Sequence, residues 1–293
     1  MTGASPRVVV VGGGHGQAVT LRSVLPWAGQ VTAIVSTADD GGSTGRLRES
    51  WEVPALGDVR RCLAALADPD GVWSRLLERR FDAGELKGHP IGNLLLLALV
   101  EELGDLQSAC DEVARTAGSD LERTRVVPVT DDAVVLHART RDGAVVQGQV
   151  AVAATDGIDE VWVDPSCTAA SPLAITAIGE ADLVLLGPGS LYTSVLAAAV
   201  VGDLRQALFA TSGRIVYIGN LRADSAETRG YDLAAHVDAL ERHAILPDVA
   251  VTQRGGHVTG HPGIELVEAD VAGPEGLLHD PVLLGAALAS LCP

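Results

Sequence analysis

An α/β fold with a doubly wound, mostly parallel sheet and a β-hairpin-containing insertion is predicted by three features of this chain. A run of valines leads directly into glycines near the N-terminus, and a second apolar run leads into Gly187-Pro188-Gly189-Ser190. Between and beyond these two points helix-like and strand-like segments alternate, the rhythm of parallel strands joined by crossover helices. With 293 residues and 47% hydrophobic content the chain can bury a large core, which excludes a disordered polypeptide. The expected organisation is one α/β nucleotide-binding domain over 1–293, with a β-rich insertion at about 125–163.

Taken in order, Arg7–Val11 reads as a buried parallel strand, Gly12–Gly16 as a loop, the residues to about Pro26 as a helix, and Val31–Ser36 as a second strand. This order is the first half of a Rossmann-like unit, in which ligands sit beyond the carboxyl ends of the strands. Thr37–Arg48 is too polar and glycine-rich to predict regular structure. Helices are expected near Asp58–Ala67, Gly92–Leu103 and Leu106–Ala117, the second apolar nearly all round and therefore buried. Between Arg125 and Val163 the pattern turns to β, with Ala133–Arg139 and Ala144–Val152 flanking the hairpin signal Asp142-Gly143. The α/β rhythm returns with a helix around Pro172–Glu180, a strand Leu183–Leu186, the second glycine loop and a helix from about Tyr192. Strands Arg214–Ile218 and Val249–Thr252 and a helix Val282–Leu291 complete the chain.

The formal charge of −17 repels nucleic acid and anionic membrane surfaces, and no basic run offsets it. Neither is an expected partner. The same field opposes a phosphate ligand, so a phosphate site here requires backbone N–H groups, a helix N-terminus and local arginines. The four cysteines, Cys62, Cys110, Cys167 and Cys292, are far apart in sequence and suggest buried thiols rather than a zinc site or disulfides. The apolar start is too short for a signal peptide and Leu94–Val100 is too short for a membrane span. A cytoplasmic location is expected.

Candidate site residues gather at the loops. In Gly12–Gly16 a buried strand runs into glycines and then a helix, which lets backbone approach a diphosphate; a tight turn without ligand has the same grammar. Asp39 and Asp40 end the second strand, where an acid can bind ribose hydroxyls, hold Mg²⁺ against phosphate, or form an Asp-Gly turn. Gly41, Gly42, Ser43 and the residues behind them supply donors, and Arg46 is the first choice for a phosphate contact. Asn93 brings an amide into an apolar helix, which costs stability unless it has a partner or a ligand. Gly187-Pro188-Gly189-Ser190 repeats the first loop's logic, with Asn220 at the end of a neighbouring strand.

Together, GGGHG, TADDGGSTGRLR, ALGDVRR, GHPIGNLLL and GPGSLYTS resemble the bacterial gluconeogenesis factor family, a branch of the 2-phospho-L-lactate transferase superfamily. The resemblance runs from about residue 7 to the tail. It implies a Rossmann-like protein that recognises UDP-sugars such as UDP-N-acetylglucosamine and supports cell shape and wall synthesis during gluconeogenic growth. A homo-oligomer with regulatory protein partners suits it. Carried over by motif, the ligand contacts are Gly13, Gly14, His15, Gly16, Asp39, Asp40, Gly41, Gly42, Ser43, Arg46, Asn93, Gly187, Pro188, Gly189, Ser190, Leu191 and Asn220. The transferase branch tends to carry aromatics after its aspartates, where this chain has Gly41–Gly45, and Leu278 stands before His279-Asp280-Pro281 where relatives often have arginine. The alternative activity is a Mg²⁺-dependent transferase using a nucleotide-diphosphate donor, with Asp39 and Asp40 on the metal and Arg46 on the phosphates. An NAD-dependent oxidoreductase is more distant, because Gln17 replaces the third glycine of the dinucleotide fingerprint.

Overall fold

The computed structural model describes residues 5–222, 225–256, 261 and 263–292. Its strands are β1 (Arg7–Gly12), β2 (Gln30–Val35), β3 (Thr124–Pro128), β4 (Val135–Thr140), β5 (Val145–Gln147), β6 (Ile158–Asp164), β7 (Leu183–Leu186), β8 (Arg214–Ile218), β9 (Val249–Gln253) and β10 (Glu265–Ala269). Seven of them form one sheet in the order β10-β9-β8-β7-β1-β2-β3, every neighbouring pair parallel. The fold is therefore α/β and Rossmann-like.

Burial on both sheet faces explains the continuous apolar runs. Along β1, Val8 and Val10 join one core with the helices Gly14–Val24 and Gly57–Leu66, while Val9 and Val11 point into a second core on the opposite face. The second core is closed partly by a small antiparallel sheet in the order β5-β4-β6. Strand order reverses at β1. The chain leaves it for β2 on one side and returns to β7 on the other, which creates a crevice between the loops that follow β1 and β7.

Three local expectations are corrected. Thr37–Arg48 is not all loop, because Gly42–Arg48 is a helix with Ser43, Thr44 and Leu47 buried. Arg48 fastens it by donating to the carbonyls of Asp39 at 3.2 Å and Val134 at 2.7 Å. The hairpin's second strand stops at Gln147, and Gln149–Ala153 is helical. Both oxygens of the Asp40 carboxylate accept from the Gln149 and Val150 N–H groups at 2.9 Å, satisfying that helix start. The Ile91–Leu103 helix is only half covered, with Gly92, Asn93, Leu96 and Leu97 buried and Leu94, Leu95 and Leu99 partly exposed.

Candidate functional site

Adjacent strands β1 and β7 bring the two glycine loops face to face. A side chain at Gly16 would place its Cβ 2.0 Å from the Pro188 carbonyl oxygen, so close approach requires glycine there. Gly14, with φ of +69°, makes the left-handed turn into the helix Gly14–Val24. Thr20 Oγ1 donates to the Gly187 carbonyl at 3.1 Å. The Asn220 amide binds Gly189 in both directions, accepting from its N–H at 3.0 Å and donating to its carbonyl at 2.9 Å. The second loop is thus held by hydrogen bonds from Thr20 and Asn220.

Between the loops lies a cavity of about 540 Å³. Of the expected contacts, Gly13, Gly14, His15, Gly16, Asp39, Gly41, Gly42, Ser43, Asn93, Gly189 and Ser190 line it. The others lie elsewhere, each for a visible reason. Asp40 is committed to the Gln149–Ala153 helix start, and Asn220 to Gly189. Gly187 and Pro188 sit behind the loop, against Thr20 and Gly16, and Leu191 is buried in the second core. Arg46 is exposed and donates to His89 Nε2 at 3.1 Å and to the Lys87 carbonyl at 3.3 Å.

Arg46 reaches the cavity only through a relay. Its Nε–H donates to His89 Nε2, and burial, with Arg46 and Arg80 nearby, pushes the His89 pKa down and keeps the ring neutral. The remaining proton then sits on Nδ1, 2.8 Å from Ser43 Oγ. Ser43 Oγ also accepts from Asn93 Nδ2 at 3.1 Å. With both acceptor positions used, the Ser43 hydroxyl hydrogen is left to donate into the cavity. Asn93 Oδ1 is buried without a hydrogen-bond partner among the described residues and belongs to the same wall.

The strongest charges in the cavity come from residues the motif reading did not single out. Asp58, Arg60, Arg61 and Arg80 all line it. Arg60, 1% exposed, pairs with Glu78 at 2.6 Å, and Arg61 pairs with Asp58 at 2.5 Å. Each of these two arginines keeps a buried Nε with no hydrogen-bond partner among the described residues. Burial pushes the Asp58 carboxyl above its usual range; Arg61 opposes this, the Asp39 charge adds to it, and the Gly14 N–H faces the carboxylate and opposes it. His15 is held below its usual pKa by burial and by Arg61, leaving a neutral ring at the helix start. The signal for these residues was ALGDVRR, an acid and two arginines in the first turns of a helix with an apolar face. Gln149 and Val150, also on the wall, come from the insertion and carried no signal.

The second helix start is different. Facing the N–H groups of Leu191, Tyr192 and Thr193 is the carboxylate of Glu227, which also accepts from Thr193 Oγ1 at 2.9 Å. Burial raises the Glu227 pKa to about 7. Both glycine loops therefore converge on one cavity, but only the first presents its helix start to it. Among the described residues no single helix is long and apolar enough to cross a membrane.

Comparison with known proteins agrees with this architecture. The family model described as 2-phospho-L-lactate transferase CofD matches residues 8–264. The gluconeogenesis factor of Bacillus subtilis (strain 168) is 39% identical over 243 residues, covering 82% of this chain and 76% of that protein. A relative from Nostoc sp. is 40% identical over 238 residues, 80% of this chain, and this chain spans only 52% of that longer protein. The crystal structure of a UPF0052-family protein from Bacillus halodurans superposes with a TM-score of 0.90 at 30% identity, covering 98% of this chain and 99% of the other. On this combination of family match, sequence identity and shared fold, the chain belongs to the CofD/UPF0052 family, which includes the gluconeogenesis factors.

Proposed function

We propose that this chain is a cytoplasmic regulatory protein that binds a UDP-sugar such as UDP-N-acetylglucosamine, and that through it the cell adjusts shape and wall synthesis during gluconeogenic growth. The observation carrying this reading is the set of three arginines, Arg60, Arg61 and Arg80, beside the Gly13–Gly16 turn at the point where strand order reverses. In a molecule of net charge −17, a positive cluster at a helix start has a clear use in holding a diphosphate. The unpartnered Asn93 oxygen and the free Ser43 hydroxyl hydrogen are suited to the sugar's hydroxyl or amide groups. A homo-oligomer and regulatory protein partners belong to the same reading, with neither nucleic acid nor membrane insertion.

Calorimetric titration with UDP-N-acetylglucosamine, UDP-glucose, GDP and NAD tests it. Saturable binding of the uridine nucleotides, with NAD failing to bind, is expected. Failure of every uridine nucleotide to bind would overturn the reading.

A second reading is a Mg²⁺-dependent 2-phospho-L-lactate transferase-like enzyme using a nucleotide-diphosphate donor. What favours it is the pairing of Asp39 with Asp58 on one wall, close enough for the Asp39 charge to push Asp58 upward. Two such carboxylates are the donor set that Mg²⁺ takes beside phosphates. Asp40, expected to share the metal, has both oxygens engaged with Gln149 and Val150. Donor breakdown that requires Mg²⁺ and disappears in Asp39→Asn would establish this reading over the first.

A further inference from the structure

The two arginines that the Gly57–Leu66 helix brings to the cavity have counter-ions of different kinds. Arg61 pairs with Asp58, which itself lines the cavity, so a bound anion and Asp58 meet the same guanidinium from the same space. Arg60 pairs with Glu78, which is not among the cavity's lining residues and stands instead on the wall of a separate surface groove of about 560 Å³, with Arg22, Leu25, Ala64 and Arg75. The Arg60 side chain is 1% exposed and the Glu78 side chain 46% exposed. This ion pair therefore runs from the cavity wall to the outer surface.

The fold fixes Arg60 along its whole length. Its stem passes Gly92, where a Cβ would stand 2.7 Å from Arg60 Cγ and 2.9 Å from Cδ, so only glycine leaves that slot open. Nη1 donates to Glu78 Oε2 at 2.6 Å and to the Leu77 carbonyl at 3.3 Å, both at the C-terminal end of the Val72–Glu78 helix, where the dipole favours a cation. Nε is buried without a hydrogen-bond partner among the described residues. Burial pulls the pKa of this guanidinium down, Glu78 opposes the fall through its hydrogen bond and its charge, and Arg61 and Arg80 add to it. The charge of Glu78 also reaches the first glycine loop, where it opposes the lowering of the His15 pKa by burial, Arg61, Arg60 and Arg80.

We propose that Glu78 is the standing counter-ion that keeps Arg60 in place while the cavity is empty, and that its charge limits how tightly the cavity holds a diphosphate. The proposal rests on the diphosphate reading of the cavity and deepens it by assigning a positioning residue that acts on the ligand through Arg60. A guanidinium buried with no partner destabilises the empty protein, and an anion entering the cavity would then be its sole counter-ion and gain the full attraction. With Glu78 in place the charge of Arg60 is already partly compensated, so the incoming anion gains less and leaves more readily. A carboxylate held outside the cavity thus gives a preformed site whose occupant exchanges, which is what a sensor of a nucleotide requires.

The test measures pyrophosphate binding by calorimetry, without Mg²⁺, on wild type, Glu78→Gln, Arg60→Met and the double variant Arg60→Met/Glu78→Gln, beside thermal melting of each with and without pyrophosphate. Glutamine keeps an oxygen acceptor for Nη1 and removes the charge. Glu78→Gln is expected to melt below wild type when empty, to bind pyrophosphate about threefold to tenfold more tightly, and to gain more melting temperature from saturating pyrophosphate than wild type does. In the Arg60→Met background, Glu78→Gln is expected to leave the affinity unchanged, because Glu78 acts through Arg60. A purely structural ion pair would lower the melting temperature and leave the affinity alone. That result, or an equal gain in affinity with and without Arg60, overturns the proposal while the diphosphate reading stands. Should Glu78→Gln not fold, Glu78→Asp, which retains the charge but withdraws it from Nη1 by one methylene, is expected to tighten binding by a smaller margin, and an unchanged affinity there overturns the proposal equally. Pyrophosphate binding by none of these chains overturns both.

Discussion

Two stretches of this chain, Gly12–Gly16 and Gly187–Ser190, use the same vocabulary: a buried strand, glycines, then a helix. The structure uses them for different work. At the first, Gly13, Gly14, His15 and Gly16 line the cavity, and the acid that faces Gly14, Asp58, lies on the cavity wall beside Arg61. At the second, Glu227 reaches in from a distant segment and lies over the N–H groups of Leu191, Tyr192 and Thr193 from the buried side. A helix dipole attracts whichever anion is nearest, and a protein carboxylate serves as well as a phosphate. The first helix start opens on the cavity with Asp58 beside it, and the second is covered by a buried carboxyl group.

The largest expected effect follows from making Glu227 permanent in charge state. Its folded pKa of about 7 lies above the ordinary 4.5, so over that interval the folded protein holds a proton that the unfolded chain has released. The stability it contributes is complete below about pH 4.5 and is lost as pH rises through about 7, a change of about 3 kcal/mol. Exposed His15 and the buried His89, His236, His243 and His279 have lowered pKa values and give slopes of the opposite sign. The measurement is therefore a difference. Urea denaturation of Glu227→Gln and wild type across this interval should show the variant gaining about 3 kcal/mol relative to wild type as pH rises. Its affinity for UDP should not change. A weaker affinity in Glu227→Gln would put the second helix start in the binding site and collapse the contrast.

At the first loop the equivalent change should act on the ligand. Asp58→Asn removes a buried negative charge from the cavity while keeping an oxygen for the Gly14 N–H. Without Mg²⁺, pyrophosphate should bind the variant on the order of tenfold more tightly, measured by calorimetry. If Asp58 and Asp39 hold a metal instead, the same variant should bind the Mg²⁺-diphosphate complex more weakly than wild type does. One substitution therefore sharpens the comparison between loops and separates the two functional readings.

What sequence reasoning captured and what it missed follow the same physics. Strands β7 and β8 are legible to the residue, and β1 to within one, because a strand buried on both faces must be continuously apolar. The edge strand β10, Glu-Leu-Val-Glu-Ala, carries no such run, since most of it meets solvent. Helices Gly42–Arg48 and Gln149–Ala153 were hidden because Arg48 and Asp40, contacts distant in sequence, stabilise them against poor local propensity. In the site, glycines announce themselves by what they lack. Arg60 and Arg61 lie in ALGDVRR, a motif of the family resemblance that assigned them no role, and only tertiary packing turns them into the cavity; Glu227 sits in a polar tract with nothing in the sequence to mark its destination.

The smallest effect concerns Arg46, the residue the sequence favoured as a phosphate contact. Its Nε–H donates to His89 Nε2, which leaves the His89 proton on Nδ1 and the Ser43 hydroxyl hydrogen directed at the cavity. Arg46→Ala removes the group that selects this tautomer, but the histidine, serine and Asn93 remain in place. UDP-sugar affinity should fall only about twofold to fivefold, the cost of a donor no longer held in one orientation. The ring-nitrogen NMR shifts of His89 should at the same time move from one tautomer towards a mixture. A direct phosphate contact would behave in the opposite way, with a larger loss of affinity and an unaltered His89 tautomer, because breaking a charge-assisted bond to phosphate leaves the imidazole's own partners untouched.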